Sequence, residues 1–157
     1  MSDSPASKLI PPTTERVPQH TDHVINDRIA RQTEANVTYY SANERLIEWR
    51  LRQLDREWDI ERVLEANAAT VSLLGLTLGR LVNRNWFLLP AAVAAFLLQH
   101  AVQGWCPPVG VFRRLGVRTQ REIDEERYAL KVMRGDFGSG FYQSKMPIQE
   151  VMRTVRS

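Results

Sequence analysis

Apolar residues cluster in the middle of the chain, between Ala66 and Trp105, and polar residues dominate on both sides. The second half of this region, 86–105, has 20 residues. As a helix it would be about 30 Å long, close to the thickness of the hydrocarbon core of a bilayer. The first half, 66–82, is shorter, and a polar triplet at 83–85 separates the two halves. The pattern predicts two transmembrane helices that form an antiparallel hairpin.

Small residues lie on one face of the first apolar helix. Ser72, Gly75 and Gly79 fall at helical spacing, and the GxxxG pattern of the two glycines allows two helix backbones to approach closely in lipid. Ala91 and Ala95 provide a matching small face on the second helix. We therefore expect these residues to pack the hairpin, and the glycine face is also a candidate contact for a homodimer.

Amphipathic helices are predicted on both sides of the hairpin. The stretch Ser41–Glu44 has the form of a capping box, and no proline or glycine follows it before Gly75. A long helix is therefore expected to run from this box into the apolar region. Its apolar stripe would bind a partner or the protein's own C-terminal helix. The stripe consists of Ile47, Leu51, Leu54 and Trp58.

Local signals predict the remaining boundaries. Thr21 can cap a short helix, and Pro107 and Pro108 are expected to stop the second apolar helix. Thr119–Glu122 is another capping box, which predicts a helix to about Arg134. The predicted fold is all-α, with a disordered tail over 1–20, a cytoplasmic helical segment over 21–65, the hairpin over 66–105 and a C-terminal cytoplasmic helical segment over 106–157.

Arginine residues are unevenly distributed around the two apolar helices. Six closely flank the outer ends of the helices and two lie near the connecting turn. By the positive-inside rule, this distribution predicts that both termini are cytoplasmic. The six are Arg52, Arg56, Arg62, Arg113, Arg114 and Arg118, and the two are Arg80 and Arg84.

Composition narrows the classes of function. The net charge of +3 is too small to indicate nucleic-acid binding. A single cysteine excludes an intrachain disulfide and a multi-cysteine metal site. His20 and His23 lie three residues apart, with no third metal ligand near them in the sequence. Since no P-loop or hydrolase motif occurs, we expect no enzymatic activity, no cofactor and no metal site. The apolar region makes the lipid bilayer the first partner that we expect.

The single cysteine, Cys106, directly follows the second apolar helix. If residues of equal depth face each other in the hairpin, Glu65 lies level with Gln103, Arg62 lies level with Cys106, and His100 is nearby. One interpretation is a thiol site at the membrane boundary, where arginines lower the thiol pKa and Cys106 carries sulfur or senses redox state. The other is that these residues are interfacial and that Cys106 only packs beside a helix end.

Two runs of opposite charge border the hairpin. In one interpretation both runs remain solvated, and the arginines lie near lipid head groups. In the other, the two runs pair with each other and fix the helices below the membrane, an arrangement that we call the cytoplasmic clamp. The acidic run consists of Glu57, Asp59, Glu61 and Glu65, and the basic run of Arg113, Arg114, Arg118 and Arg121.

A short motif spans the end of the second apolar helix and the segment after it. Gly104, Cys106, Pro107, Leu115 and Gly116 form the pattern G-x-C-P…L-G. With the glycine-bearing helix before it, this motif resembles the two-helix membrane domain of YgaP-type bacterial inner-membrane proteins, over about residues 59–116. That domain is of unknown function and in some members is fused to a rhodanese, a sulfurtransferase domain. The resemblance implies a multi-pass protein of the bacterial inner membrane. It does not imply sulfurtransferase activity, because the chain contains no rhodanese domain.

The leading hypothesis is a small integral inner-membrane protein with a structural or partner-binding role. Its partner would be a second copy or another membrane protein. A second hypothesis is a thiol-based sulfur or redox carrier that uses Cys106. A third is a soluble helical bundle that buries 66–105, which the polar residues Gln99, His100 and Gln103 favour.

Overall fold

A computed structural model describes residues 12, 14–137 and 147–156, and within these ranges the chain contains helices and no strand. The predicted all-α class is therefore confirmed for the described part of the chain. The helices are α1 Arg16–Gln19, α2 His23–Ser41, α3 Glu44–Leu54, α4 Ile60–Leu81, α5 Leu88–Gln103, α6 Pro107–Arg114, α7 Gln120–Arg134 and α8 Ile148–Arg156, and a 3-10 turn spans Arg84–Phe87.

The chain divides into two compact units. The apolar-helix unit comprises the described residues up to His23 together with Ile60–Val117. The charged-helix unit comprises Val24–Asp59 and the described residues from Arg118 onward. The charged-helix unit is therefore built from two segments that flank α4, α5 and α6 in the sequence.

Helices α4 and α5 lie side by side in the apolar-helix unit and run in opposite directions. Glu61, near the start of α4, contacts His100, near the end of α5. Gly75, in the second half of α4, lies against Pro90 at the start of α5, where a Cβ on the glycine would be 2.7 Å from the proline Cδ. The backbones thus approach closely at a position where α4 has no side chain.

One end of this helix pair is closed by a small apolar core. It joins the N-terminal turn α1 to α4 and α6. Its buried members are Val17, Ile60, Leu64, Cys106 and Val109, with Phe112 and Val117 packed against them.

The other faces of α4 and α5 carry exposed apolar side chains. Leu81 is 75% exposed, Leu88 is 72% exposed and Leu98 is 68% exposed. Leu73, Leu74, Leu76, Phe87 and Phe96 are also exposed. Because each helix buries only one narrow face against its neighbour, most of the apolar surface of the pair has no cover within the unit.

One helical stretch in the described part of the chain, Arg84–Gln103, is long and apolar enough to cross a membrane by length and composition. Helix α4 does not satisfy the same criterion. Glu65, Asn67 and Arg80 lower its hydropathy.

Two apolar clusters hold the charged-helix unit together. In the first, Ile47 and Leu51 of α3 pack with Ile123 and Leu130 of α7, together with Leu54. The stripe of α3 therefore contacts α7, a helix of the C-terminal segment of the same chain. Trp58 does not belong to this cluster and is exposed after the end of α3. The second cluster consists of Val37, Ala129, Val151 and Met152.

The predicted continuous helix from Ser41 into the apolar region is wrong, because α3 ends at Leu54 and α4 begins at Ile60. No proline or glycine marks this break. The predicted capping box at Ser41 is also wrong. Helix α2 extends to Ser41, whose hydroxyl donates to the carbonyl oxygen of Thr38, and Asn43 is the residue before α3.

The second apolar helix ends for a different reason than predicted. Gly104 terminates α5 in the left-handed conformation, with φ of +74°, which glycine adopts without steric cost. Pro107 and Pro108 instead begin α6. Proline is well suited to a first helical turn, where its missing N–H has no intrahelical partner.

The capping box at the start of α7 is confirmed. Thr119 Oγ1 accepts a hydrogen bond from the backbone N–H of Glu122, and the Glu122 carboxylate accepts one from the backbone N–H of Thr119. At the other end of the chain, part of the predicted tail is ordered, because Arg16–Gln19 form α1 and Val17 is buried. Residues 1–11 and 13 of that tail lie outside the described residues.

Candidate functional site

Three ionisable side chains from distant parts of the sequence meet where α1, α4 and α5 come together. Glu61 Oε2 accepts a hydrogen bond from His100 Nε2 at 2.9 Å, and Glu61 Oε1 accepts one from Arg16 Nη2 at 2.8 Å. Arg16 Nη1 also donates to the carbonyl oxygen of Ala101 at 3.0 Å. We call Arg16, Glu61 and His100 the Glu61 cluster, since the carboxylate joins the other two.

The carboxylate of this cluster is held in its charged form. The hydrogen bond from His100 is the largest influence on the pKa of Glu61, and with that from Arg16 it holds this pKa below the ordinary 4.5, against the opposite effect of burial. His100 itself is buried. Its Nδ1 has no hydrogen-bond partner among the described residues.

Cys106 lies near this cluster but belongs to the apolar core. The residue is 2% exposed and packs with Val17, Leu64 and Val109. Burial raises the pKa of its thiol above the ordinary 9.0, a backbone hydrogen bond from Val109 opposes this, and the negative charge of Glu61 raises the pKa further. The predicted lowering of the thiol pKa by arginines is therefore wrong, because desolvation disfavours the thiolate.

The N-terminal turn α1 covers this part of the unit directly. A Cβ on Gly104 would be 2.5 Å from the Cβ of Arg16, so the two backbones are in close contact. Val17, the next residue, lies in the core that contains Cys106. The turn α1 thus shields the thiol from solvent and is fastened by the Arg16–Glu61 ion pair.

The structure brings together only some of the residues predicted for a thiol site. His100 bonds Glu61, a residue that the predicted thiol site did not include, and the side chains of Arg62, Glu65 and Gln103 are exposed. The predicted depth pairing is therefore offset near this end.

The motif residues occupy different environments. Gly104 and Cys106 are buried, and Pro107 is the first residue of α6. Leu115 and Gly116 are exposed after the end of α6, and Gly116 has a φ of +89°. Gly104 therefore serves both the end of α5 and the contact with α1, whereas the Leu115–Gly116 pair forms a surface turn.

The residues predicted to pack the two apolar helices also divide into two groups. Gly75 and Gly79 are buried, and a Cβ on Gly79 would be 2.8 Å from the ring of Phe87. Ser72 is half-buried, but Ala91 and Ala95 are exposed. The glycines therefore meet larger residues of the turn and the start of α5, not the predicted alanine face.

Of the two predicted charge runs, Glu57 of the acidic run pairs with Arg118 of the basic run. In the charged-helix unit, Arg118 makes a bidentate contact with Glu57, at 2.7 Å for both bonds. Its third contact is with the buried Glu126, at 2.6 Å, and Glu126 also accepts two hydrogen bonds from Arg50. This pairing joins α7 to the segment between α3 and α4, whereas Glu61 of the acidic run bonds α1 and α5.

Sequence reasoning missed Arg16 and the role of Glu61. The proline-rich surroundings of Arg16 favoured disorder, and Glu61 was one of several acidic residues of equal appearance. Among the described residues, no group of three or more His, Cys, Asp or Glu side chains is arranged to hold a metal ion. The chemistry that the Glu61 cluster offers is charge pairing that holds α1 against the helix pair.

No family model matches the chain, and no curated protein and no solved structure is significantly similar to it.

Proposed function

We propose that this chain is a small integral membrane protein in which the apolar parts of α4 and α5, within residues 66–105, form a transmembrane hairpin and the charged-helix unit lies in the cytoplasm. Its role is structural: the hairpin anchors a small charged helical unit at the membrane and presents it to a partner. The observation that carries this proposal is the continuous apolar surface that α4 and α5 leave uncovered.

The uncovered apolar surface of α4 and α5 favours lipid over water as its surroundings. Soluble monomers rarely expose contiguous apolar patches of this kind, and a helix that is apolar on all sides is typical of a membrane span. The apolar stretch Arg84–Gln103 has the required length. In α4, Arg80 lies close to the turn, where a long side chain can reach the head-group region.

The arginine distribution supports cytoplasmic termini by the positive-inside rule. Together with the resemblance to YgaP-type proteins, it favours the bacterial inner membrane. A homodimer stays part of the proposal, but Gly75 and Gly79 are already covered within the chain by the turn and the start of α5. A contact between copies would therefore use other faces of the hairpin.

The thiol-carrier hypothesis receives no support from the environment of Cys106, since the residue is buried and its thiol pKa is raised. The soluble-bundle hypothesis requires that another copy cover the exposed leucines of α4 and α5. It is the alternative that the following experiment excludes or establishes.

Cell fractionation with an alkaline carbonate wash tests the proposal. We expect the chain to remain in the membrane pellet. A variant with Leu73→Lys and Leu98→Lys should leave the pellet, since each lysine at the centre of a span costs about 2.5–3.5 kcal/mol. Leu46→Lys, on the surface of the charged-helix unit, is the matched control and should stay. Recovery of the unchanged chain in the soluble fraction contradicts the proposal.

The sidedness is tested by labelling single cysteines with a membrane-impermeant maleimide in a Cys106→Ser background. Asn85→Cys lies in the exposed turn between the helices and should react in intact cells. Gln53→Cys, exposed on α3, should react only after lysis. The reverse result overturns the orientation, and labelling of both positions in intact cells overturns the two-span topology.

A further inference from the structure

A cleft of about 180 Å³ lies between α4, α5 and the start of α6. Its walls include Leu64 and Val71 of α4, Val93 and Leu97 of α5, and Cys106. The only amide side chain in the lining is that of Asn67, and no lining residue carries a charge. An apolar cavity of about 150 Å³ stays free of water and binds benzene. The apolar lining of the cleft therefore favours hydrocarbon over water.

The cleft is continuous with the apolar surface of the helix pair. Phe96 forms part of its wall and is also 44% exposed, and the neighbouring Leu98 lies on the uncovered surface. A flexible hydrocarbon chain can therefore enter from the side that faces lipid in the proposed hairpin. In the proposed topology the cleft opens toward the lipid bilayer. Acyl chains are the hydrocarbon present there at high concentration, and we therefore expect an acyl chain as the occupant.

We propose that this cleft binds a segment of one acyl chain of a membrane phospholipid, an inference that rests on the proposed membrane location. The cleft has a more polar end and an apolar end, as an esterified acyl chain does. Asn67 and Cys106 lie towards the end near the Glu61 cluster, where the ester group would be, and Val71 and Val93 lie further along the hairpin, where the hydrocarbon tail would be. Because no lining residue is charged, binding does not depend on the head group.

The test uses the full chain in nanodiscs that contain a phospholipid with a photoactivatable diazirine on one acyl chain. After irradiation, mass spectrometry locates the adducts. We expect adducts at Val71 and Leu97 in excess of those at the exposed Leu73 and Leu98. The excess should be the same with phosphatidylglycerol and phosphatidylethanolamine probes.

Two substitutions from different helices fill the cleft, and a third is the matched control. Ala68→Leu and Val93→Phe should each reduce the adducts at Leu97 at least fivefold while adducts at Leu73 persist. Ala69→Leu, the same change at the exposed neighbour, should have no effect. Undiminished adducts at Leu97 in both filling variants, or a strong dependence on the head group, overturn the cleft assignment. Absence of adducts at Leu73 and Leu98 as well contradicts the membrane location itself.

Discussion

At the residue scale, the charged-helix unit depends on one carboxylate that water does not reach. Glu126 is 0% exposed and accepts hydrogen bonds from Arg50, Arg118 and Asn36. Burial alone would raise the pKa of Glu126. The hydrogen bond from Arg50 and the charge of Arg118 outweigh burial and hold the pKa below the ordinary 4.5. The carboxylate therefore stays ionised and pairs with two guanidinium groups that are mostly buried themselves.

Replacing this carboxylate by an amide should destabilise the charged-helix unit strongly. Glu126→Gln leaves the buried Arg118 without part of its counter-charge, and breaking such a pair costs about 3–5 kcal/mol. Asp55→Asn removes an exposed partner of Arg127 and should cost less than about 1 kcal/mol. Hydrogen exchange of the α7 amides of the full chain in detergent measures both free energies. Equal losses in the two variants would show that the buried network does not stabilise the unit.

The same carboxylate predicts the direction of the acid response. Because the folded-state pKa of Glu126 lies below 4.5, its contribution is fully present above that pH and is lost as the pH falls through the lowered value. Urea denaturation at a series of pH values should show a steep loss of stability below about pH 4.5. Glu126→Gln should lack this component of the loss, and an identical pH profile would contradict the assignment.

A second residue-scale prediction concerns the contact that covers the thiol. Gly104→Ala places a Cβ against Arg16 and forces alanine into a left-handed conformation, which costs about 1–2 kcal/mol. The turn α1 should detach more often, and alkylation of Cys106 by iodoacetamide should accelerate roughly 5–30-fold. Gly110→Ala has open space around it and should leave the rate unchanged. A Gly104→Ala rate equal to the original rate would show that α1 does not protect the thiol.

At the scale of elements, the close approach of α4 and α5 is supported by two glycines that face different obstacles. Beside Gly75 lie the ring of Pro90 and the backbone oxygen of Trp86, neither of which can move without moving the start of α5. Beside Gly79 lies the ring of Phe87, which is partly exposed and can rotate outward. The GxxxG pattern therefore combines one rigid contact and one adaptable contact.

Alanine substitutions should separate these two contacts. Gly75→Ala should destabilise the helix pair by about 1–3 kcal/mol through overpacking. Gly79→Ala should change stability by less than about 1 kcal/mol, because alanine favours the helix by about that amount and offsets the displacement of Phe87. Thermal denaturation in detergent, followed by circular dichroism, compares the variants. Equal destabilisation would indicate that Phe87 is as rigid a neighbour as Pro90.

At the scale of the whole molecule, the order of elements along the chain makes the charged-helix unit depend on residues after the apolar helices. The stripe of α3 packs mainly against α7, with Tyr40 of α2 beside it, and Glu57 pairs with Arg118. The apolar-helix unit, by contrast, obtains its core from α1, α4 and α6. The charged-helix unit can therefore fold fully only when the part of the chain that follows the proposed hairpin is present.

Truncation after Val117 should test this dependence. Residues 24–59 should become sensitive to proteases, because Ile47, Leu51 and Leu54 lose the helix that buries them. Residues 60–117 should remain in the membrane pellet. Truncation after Asp136 retains the contact with α7 and should give intermediate sensitivity. Protease resistance of 24–59 in the shorter chain would contradict the two-segment organisation.

Patterns in the sequence determined those features that depend on a few neighbouring residues. The all-α class, the start of α7 at the Thr119–Glu122 box, the apolar length of 86–105 and the stripe of α3 all follow from hydrogen bonds within one turn or from helical periodicity. Each of these signals acts over short distances along the chain and needs no information about what lies opposite.

The tertiary structure alone decided which residues meet. The pairing of Glu61 with Arg16 and His100, the burial of Cys106 under α1 and the break between α3 and α4 each depend on contacts between segments far apart in the sequence. The register of α5 along α4 depends on the 3-10 turn and on how Pro90 fits against Gly75. Close packing of side chains selects one register among several that hydrophobicity alone allows, and for this reason the sequence pattern did not contain it.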